Sequence, residues 1–185
     1  MNNIQKIWEG VKVGNRKAQK ALYDDSCEDL MNVCRRYLPG ASHHDAVQET
    51  FIKVFTKPNA YDSSKGNLGA WMAQIAVNEC LQILRKQKKM VFFDVIDPIL
   101  EDKIQEDYKN NISKEEIYNE VAKLPDGYRT VFNLFVVEGY THIEIGEILK
   151  ISPSTSRSQL ARAKSQLIKN FKKMTNLKSY EATRR

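Results

Sequence analysis

Residues Tyr140 to Met174 read YTHIEIGEILKISPSTSRSQLARAKSQLIKNFKKM and decide how the rest of the chain is read. Two apolar-periodic segments lie in this stretch. Ile143, Ile145, Ile148 and Leu149 mark the first, and Leu160, Ala163, Leu167, Phe171 and Met174 the second. Ser152 followed by Pro153 is a strong helix start: a hydroxyl at the N-cap satisfies an orphan amide, and proline at the first helical position has no amide to lose. Gly146 stands where a small residue lets the second helix cross close over the first. The pattern predicts helix, tight turn, helix, an arrangement that lays the second helix in a DNA major groove.

The chemistry of the second helix fits that use. Counted from Pro153, its outward positions are Thr155, Arg157, Ser158, Arg162, Lys164 and Lys169, and no acidic residue occurs from Ser152 through Tyr180. A solvated surface helix normally mixes signs, so a one-sided basic helix with hydroxyls at its tip points to a phosphate-facing surface. Serine and threonine hydroxyls can bond bases or phosphates, and arginine can read guanine bidentately. The bland alternative is a basic helix of an unrelated bundle.

Whole-chain properties bound the remaining choices. The 185 residues, 42% hydrophobic, suffice for two small domains or one medium one. No apolar run approaches the roughly 20 residues of a membrane span. The N-terminus MNNIQKIWEG lacks the contiguous apolar segment of a signal peptide, so the expectation is a cytoplasmic protein. Cys27, Cys34 and Cys80 are odd in number and lack C-x-x-C spacing, which predicts reduced thiols rather than disulfides or zinc. Cys34 with His43 and His44 is the weaker alternative, a ligand cluster. No Ser-His-Asp order, phosphate-cradling glycine loop or metal-spaced set is present; the expectation is no enzyme, no cofactor and no metal.

The net charge of +6 is segregated. Residues 1 to 89 hold 14 Lys and Arg against 9 Asp and Glu; residues 90 to 122 hold 3 against 9; residues 123 to 185 hold 12 against 5. Two basic ends flank an acidic middle, which solubility alone does not require. The predicted organisation is all-α: helical domains at 1–89 and 113–185, joined by an acidic linker at 90–112, the C-terminal domain carrying the helix-turn-helix.

The N-terminal block reads as four helices. Ile4, Ile7, Trp8 and Val11 mark a short one that stops near Gly14; the second runs from about Asn15 to Leu38 and is closed by Pro39-Gly40. The third takes Ser42 as its N-cap, buries Ala46, Val47, Phe51, Val54 and Phe55, and turns His44, Asp45, Gln48, Glu49 and Lys53 outward. After a turn-rich stretch, TKPNAYDSSKGN, the fourth spans about Leu68 to Lys88. At about 100° per residue, Leu68, Met72, Ile75, Ala76 and Ile83 share its apolar face, while Gln74, Asn78, Gln82 and Arg85 form a polar stripe beginning beside Trp71. That stripe leads into RKQKK and lies next to a loop containing Tyr61, a combination suited to single-stranded or melted nucleic acid. Trp71 itself reads as core, with a stacking surface as the alternative.

HHDAVQETFIKVF, then GNLGAWMAQIAVNECLQILRK, then LPDGYRTVFNLFVVEGYTHIEIGEILKISPSTSRSQLARAKSQL resemble, in that order, regions two and four of bacterial RNA polymerase sigma factors. The two-domain layout resembles the extracytoplasmic-function (ECF) group, and the resemblance runs from about Ile4 to Phe171. It implies a factor that binds core RNA polymerase and directs initiation at minus-10 and minus-35 promoter elements. By the same resemblance Asp45, Gln48, Glu49 and Phe51, with Lys53 beside them, dock on the coiled coil of the polymerase's largest subunit. Tyr61, Gln74, Asn78, Arg85 and Lys86 engage the minus-10 element of the promoter DNA as its strands separate. Arg129, Thr141, Thr155, Arg157, Ser158, Arg162 and Lys164 engage the minus-35 duplex. The resemblance also implies an anti-sigma factor as partner, able to hold the protein at the inner membrane without any membrane insertion of its own. The acidic linker would thread polymerase channels as an RNA mimic or be an ordinary solvated connection.

Departures from the family pattern carry structural expectations. Lys150 occupies the glycine position of the turn, which puts a non-glycine residue in a left-handed conformation. Ser156 replaces a buried aliphatic residue, Gly69 lies where arginine is common, and Gln82 replaces a residue often charged. The alternative function is a one-component helix-turn-helix regulator that binds duplex DNA without polymerase.

Overall fold

Helix boundaries fall where the chain carries its caps and breakers. The structure, a computed structural model, describes residues 3–87 and 113–182, with side chains from 4 to 87 and 113 to 175. Eight α-helices and no strand occur among the described residues. They fall in two compact units, Met1–Lys88 and Lys89–Arg185. The acidic segment at 90–112 and the last two lysines of RKQKK lie outside the described residues.

In the N-terminal unit, α1 (Asn3–Lys12) ends ahead of Gly14, whose φ of 75° suits glycine. The side chain of Asn15 accepts from the amides of Lys17 and Ala18 at 2.9 and 3.2 Å and so starts α2 (Arg16–Tyr37). The next helix, α3 (Ser42–Thr56), begins one residue earlier than expected. Ala41 is already helical at φ −58° and ψ −26°, so Ser42 lies inside the first turn and is not the cap; its hydroxyl accepts from Gln87 Nε2 at 3.3 Å instead. A 3₁₀ turn (Pro58–Ala60) leads to α4 (Leu68–Lys86), capped by Asn67, which accepts from the Ala70 amide at 2.8 Å.

Helix α2 packs against α1, α3 and α4, and α3 packs against α4. Leu22, Cys34, Tyr37, Val54, Met72 and Cys80 are at most 1% exposed at the centre of this core. The Cys80 thiol hydrogen-bonds at Cys34, and that contact together with burial raises its pKa, which keeps it protonated and inert. All three cysteines are free. The buried arc of α4 is rotated from the expected one: Ala76, Val77, Cys80, Leu81 and Leu84 are buried, whereas Ile75 and Ile83 are only half-buried. The cause is that α4 covers two helices at once, which demands a broader stripe centred on Ala76 and Cys80.

In the C-terminal unit, Ser113 and Glu116 form a reciprocal capping box that starts α5 (Lys114–Ala122). Next, α6 (Asp126–Phe132) runs directly into a π turn (Asn133–Val137), closed by the Glu138 amide on the Asn133 carbonyl at 3.0 Å. Thr141 and Glu144 form a second capping box at the start of α7 (His142–Leu149). The last helix, α8 (Pro153–Ala182), packs on α5, α6 and α7. Val121, Leu124, Ala163 and Leu167 make its core, flanked by Tyr128, Phe132 and Phe171.

The turn between α7 and α8 has the form the sequence predicts. Lys150 sits in the left-handed region at φ 58° and ψ 47°, and the Ile151 amide reaches back to the Gly146 carbonyl at 3.0 Å. A Cβ on Gly146 would meet the Ile151 carbonyl oxygen at 2.8 Å, so only glycine permits this close crossing. For L-residues the left-handed conformation costs about 1–2 kcal/mol, against about 0.5–1 kcal/mol for the added freedom of an unfolded glycine. Lys150→Gly is therefore expected to raise the melting temperature of the C-terminal unit by about 2–4 °C. A lower melting temperature by circular dichroism would contradict the strain assigned to Lys150.

Candidate nucleic-acid interface

The cationic face of α8 stands on that turn. Arg157, Lys164 and Lys169 are exposed, with Ser158 and Arg162 half-buried along the same helix. Ser154, absent from the sequence expectation, is also exposed at the tip. Thr155 is corrected from outward to buried, at 5% exposure. It completes the cap: Ser152 Oγ accepts from the Thr155 amide at 3.0 Å and pairs with the Thr155 hydroxyl at 2.7 Å. Thr141 is exposed, and its hydroxyl is occupied by Glu144 at 2.8 Å. The same Thr141 amide and hydroxyl hold the Glu144 carboxyl below its ordinary range.

Arg129 is the second correction. It is 3% exposed; its guanidinium donates to the carbonyls of Leu124 at 2.7 Å and Ala122 at 3.3 Å and pairs with Asp126. The fork that would read DNA is spent on closing the end of α5.

His142 and Ser156 form a pair that the sequence reading missed. Ser156 is fully buried, and its Oγ lies 2.9 Å from His142 Nδ1. The imidazole stacks on Phe135 with centroids 4.5 Å apart and planes 21° from parallel. Burial lowers the His142 pKa, and the Arg157 and Lys164 charges lower it further.

The N-terminal unit offers a second polar surface. Gln74, Asn78, Arg85 and Lys86 are exposed along α4, and half-buried Gln82 donates to Glu79 at 3.4 Å. The loop that leads into α4 is built, not loose. Tyr61 lies with Trp8 and Trp71 in a triangle of rings 5.4–5.8 Å apart, and its hydroxyl donates to the Gly66 carbonyl at 3.0 Å. Trp71 is thus half-buried in an aromatic cluster. The Ser64 hydroxyl and amide both donate to Asp62, holding its carboxyl below the ordinary range. Between α1 and this loop lies a cavity of about 540 Å³ walled by Trp8, Tyr61, Asn67 and Leu68.

A third surface lies on α3. Asp45, Gln48 and Glu49 are exposed, joined by Ile52 at 52% exposure, which the sequence reading did not single out. Two expected polymerase contacts are engaged within the unit, Phe51 as the buried residue that the periodicity of α3 predicts and Lys53 as an ion-pair partner. Phe51 is 4% exposed and packs 4.7 Å from the Tyr23 ring, because the apolar side of α3 must cover the core. The Lys53 ammonium is held at 2.5 Å by the buried carboxylate of Glu79, a charge that burial would otherwise penalise. The weaker ligand cluster falls apart: Cys34 is fully buried in the core, while the His43 ring bonds the Gly40 carbonyl.

The Sigma-70 region 2 family matches residues 22–90, and the Sigma-70, region 4 family matches residues 114–167. The ECF RNA polymerase sigma factor SigM of Bacillus subtilis is 30% identical over 125 residues, covering 66% of this chain and 76% of that protein. The chain belongs to the ECF RNA polymerase sigma factors. SigW of the same organism is 29% identical over 187 residues, spanning 91% of this sigma factor and 97% of that one. The structure of the Bartonella quintana sigma factor RpoE, solved with the anti-sigma factor NepR, shares the fold at a TM-score of 0.50 and 20% identity, over 83% of this chain and 96% of that one.

The region 2 match spans α2 to α4, so both the α3 surface and the α4 stripe fall inside it. The region 4 match ends at residue 167, within α8, and contains the cap, the turn and the His142–Ser156 pair of this sigma factor. Sigma factors are a family of non-enzymatic regulators. No helix among the described residues is long and apolar enough to cross a membrane.

Proposed function

We propose that this sigma factor docks on core RNA polymerase through α3 and supplies promoter specificity through both units, without catalysis of its own. The observation that carries the reading is the cationic surface of α8: Arg157 and Lys164 exposed one above the other and Lys169 further round the second helix of the helix-turn-helix, with no carboxylate on that helix before Glu181. Such a face is matched to the phosphates along a minus-35 major groove, with Arg157, Ser154 and Ser158 nearest the bases. On α4, Gln74, Asn78, Arg85 and Lys86 would follow the minus-10 strand as it separates. The cavity beside Tyr61 has room for a nucleobase, and capturing one offsets part of the few kcal/mol needed to unstack it.

Asp45, Gln48, Glu49 and Ile52 form the polymerase-facing surface, acidic and amide groups around an apolar centre, suited to a basic helical partner such as the largest-subunit coiled coil. The same faces suit an anti-sigma factor, which would keep the cytoplasmic protein silent by covering them. The unit boundaries follow this division of labour: a polymerase and minus-10 unit before the acidic segment, a minus-35 unit after it. Neither unit alone offers a large specific interface; docking on polymerase raises the effective concentration of each at a correctly spaced promoter.

The test is equilibrium binding of promoter duplex by the chain, alone and with core polymerase, across salt. Sequence-selective binding is expected only with polymerase. Lys164→Gln with Lys169→Gln removes two phosphate contacts and is expected to lower the slope of log K against log salt by about 1.8 while leaving sequence preference intact. Tight selective binding by the chain alone would instead identify a one-component regulator.

A further inference from the structure

We propose that His142 is a DNA-backbone contact of the minus-35 surface that engages a phosphate as the imidazolium, so that promoter binding takes up a proton. The inference rests on α8 being the minus-35 reader. His142 opens α7, next to the turn that presents α8, and its ring is fixed twice: Nδ1 lies 2.9 Å from Ser156 Oγ, and Phe135 stacks on its face. With Nδ1 committed inward, Nε2 is the nitrogen left for a ligand.

The Ser156 hydroxyl suits a ring that changes charge. A serine can donate to a neutral Nδ1 or accept from a protonated one, so the ring stays pinned in both charge states. A valine or leucine there would leave Nδ1 without a partner and penalise the charged form. Phe135 also suits a cation, since the face of an aromatic ring attracts an imidazolium laid against it.

The elements packed on α7 are α8 and the π turn. The π turn, NLFVV, carries no charge and is followed by Glu138, while α8 brings Arg157 and Lys164. On its own helix, Glu144 is turned back onto Thr141 and Glu147 is exposed. In the free protein, burial and the two cations therefore disfavour the imidazolium form of His142. A phosphate arriving among Arg157, Lys164 and His142 reverses the sign of the local field and favours the imidazolium. The proton affinity of the ring is raised in the complex above its free value, so binding tightens as pH falls through the interval between the two.

The test measures the affinity of the reconstituted holoenzyme for a promoter duplex from pH 8 to pH 6, for the natural chain, His142→Gln and Ser156→Ala. The expected result is about tenfold tighter binding at pH 6 than at pH 8 beyond whatever change His142→Gln retains, and a smaller gain in Ser156→Ala. The remaining histidines, His43 and His44, lie in the N-terminal unit and are common to all three proteins. Calorimetry of the unsubstituted holoenzyme in buffers of different ionisation enthalpy counts the protons directly and does not depend on a variant folding. Equal pH profiles in the natural and His142→Gln proteins, or no proton uptake, would overturn the proposal while promoter selection survives. Loss of promoter selection at every pH would instead remove the minus-35 reading on which it stands.

Discussion

Arg129→Ala is expected to unfold the C-terminal unit at temperatures where the N-terminal unit remains folded. The guanidinium is 3% exposed and serves three acceptors at once: the Ala122 and Leu124 carbonyls and the Asp126 carboxylate. Its removal leaves these groups under-satisfied at the joint where α5 turns into α6, and breaking a buried ion pair from one side costs about 3–5 kcal/mol. A unit of this size holds only about 0.05–0.15 kcal/mol per residue in total, so most of its stability is lost. Arg129→Lys should recover little, because an ammonium is a point charge and cannot span two carbonyls and a carboxylate. Hydrogen exchange resolved along the chain reads the result: protection should vanish from α5 to α8 and persist in α2 to α4. If Arg129 were instead a DNA contact, the variant would melt like the natural protein and fail only in promoter binding.

Gln48→Ala combined with Glu49→Ala has the largest expected functional effect. Both side chains are exposed on α3 and take no part in the core formed by Phe51 and Val54 on its opposite side, so the thermal melt should not change. The proposed contact replaces solvent by a basic partner helix, and truncating groups in such a contact costs about 2–5 kcal/mol. The affinity for core polymerase should therefore fall about a hundredfold, a loss of about 2.8 kcal/mol. Binding within threefold of the natural protein would exclude this face as the docking surface.

The two corrections on the C-terminal unit share a cause. Arg129 and Thr155 look like surface residues because their side chains are polar, yet each is consumed by an orphan backbone or hydroxyl group near a helix end. Periodicity locates an apolar face, but it does not say which polar residue will be called in to satisfy a buried carbonyl. Glu79 repeats the lesson in the N-terminal unit, where a carboxylate 5% exposed is tolerable only because Lys53 reaches it across 26 positions of sequence. The His142–Ser156 bond is likewise a pairing between helices, with no signature in local spacing. Ile143 fits the apolar period yet is 65% exposed, since α7 is short and covered on one side only.

Features governed by local backbone chemistry were legible. Gly14 as a stop and Ser152-Pro153 as the start of α8 stand where the residue types require them. At Lys150 it is the resemblance, which puts a glycine in the turn, that implies a left-handed residue, and Lys150 is the sole non-glycine residue with positive φ among those described. The π turn after α6 is not legible, because FNLFVV is apolar apart from Asn133 and carries no breaker before Gly139. The polar stripe of α4 was read correctly at Gln74, Asn78 and Arg85 even though the apolar arc opposite was misplaced, since a polar face is defined by what it lacks.

The most direct measurement is reconstituted transcription: the purified chain, bacterial core polymerase and a pool of fragments from the source genome, with start sites read by sequencing. The account predicts discrete start sites that require both proteins, share minus-35 and minus-10 elements, and disappear with Gln48→Ala plus Glu49→Ala or with Arg157→Ala plus Arg162→Ala. The absence of start sites, together with sequence-selective DNA binding by the chain alone, would contradict it.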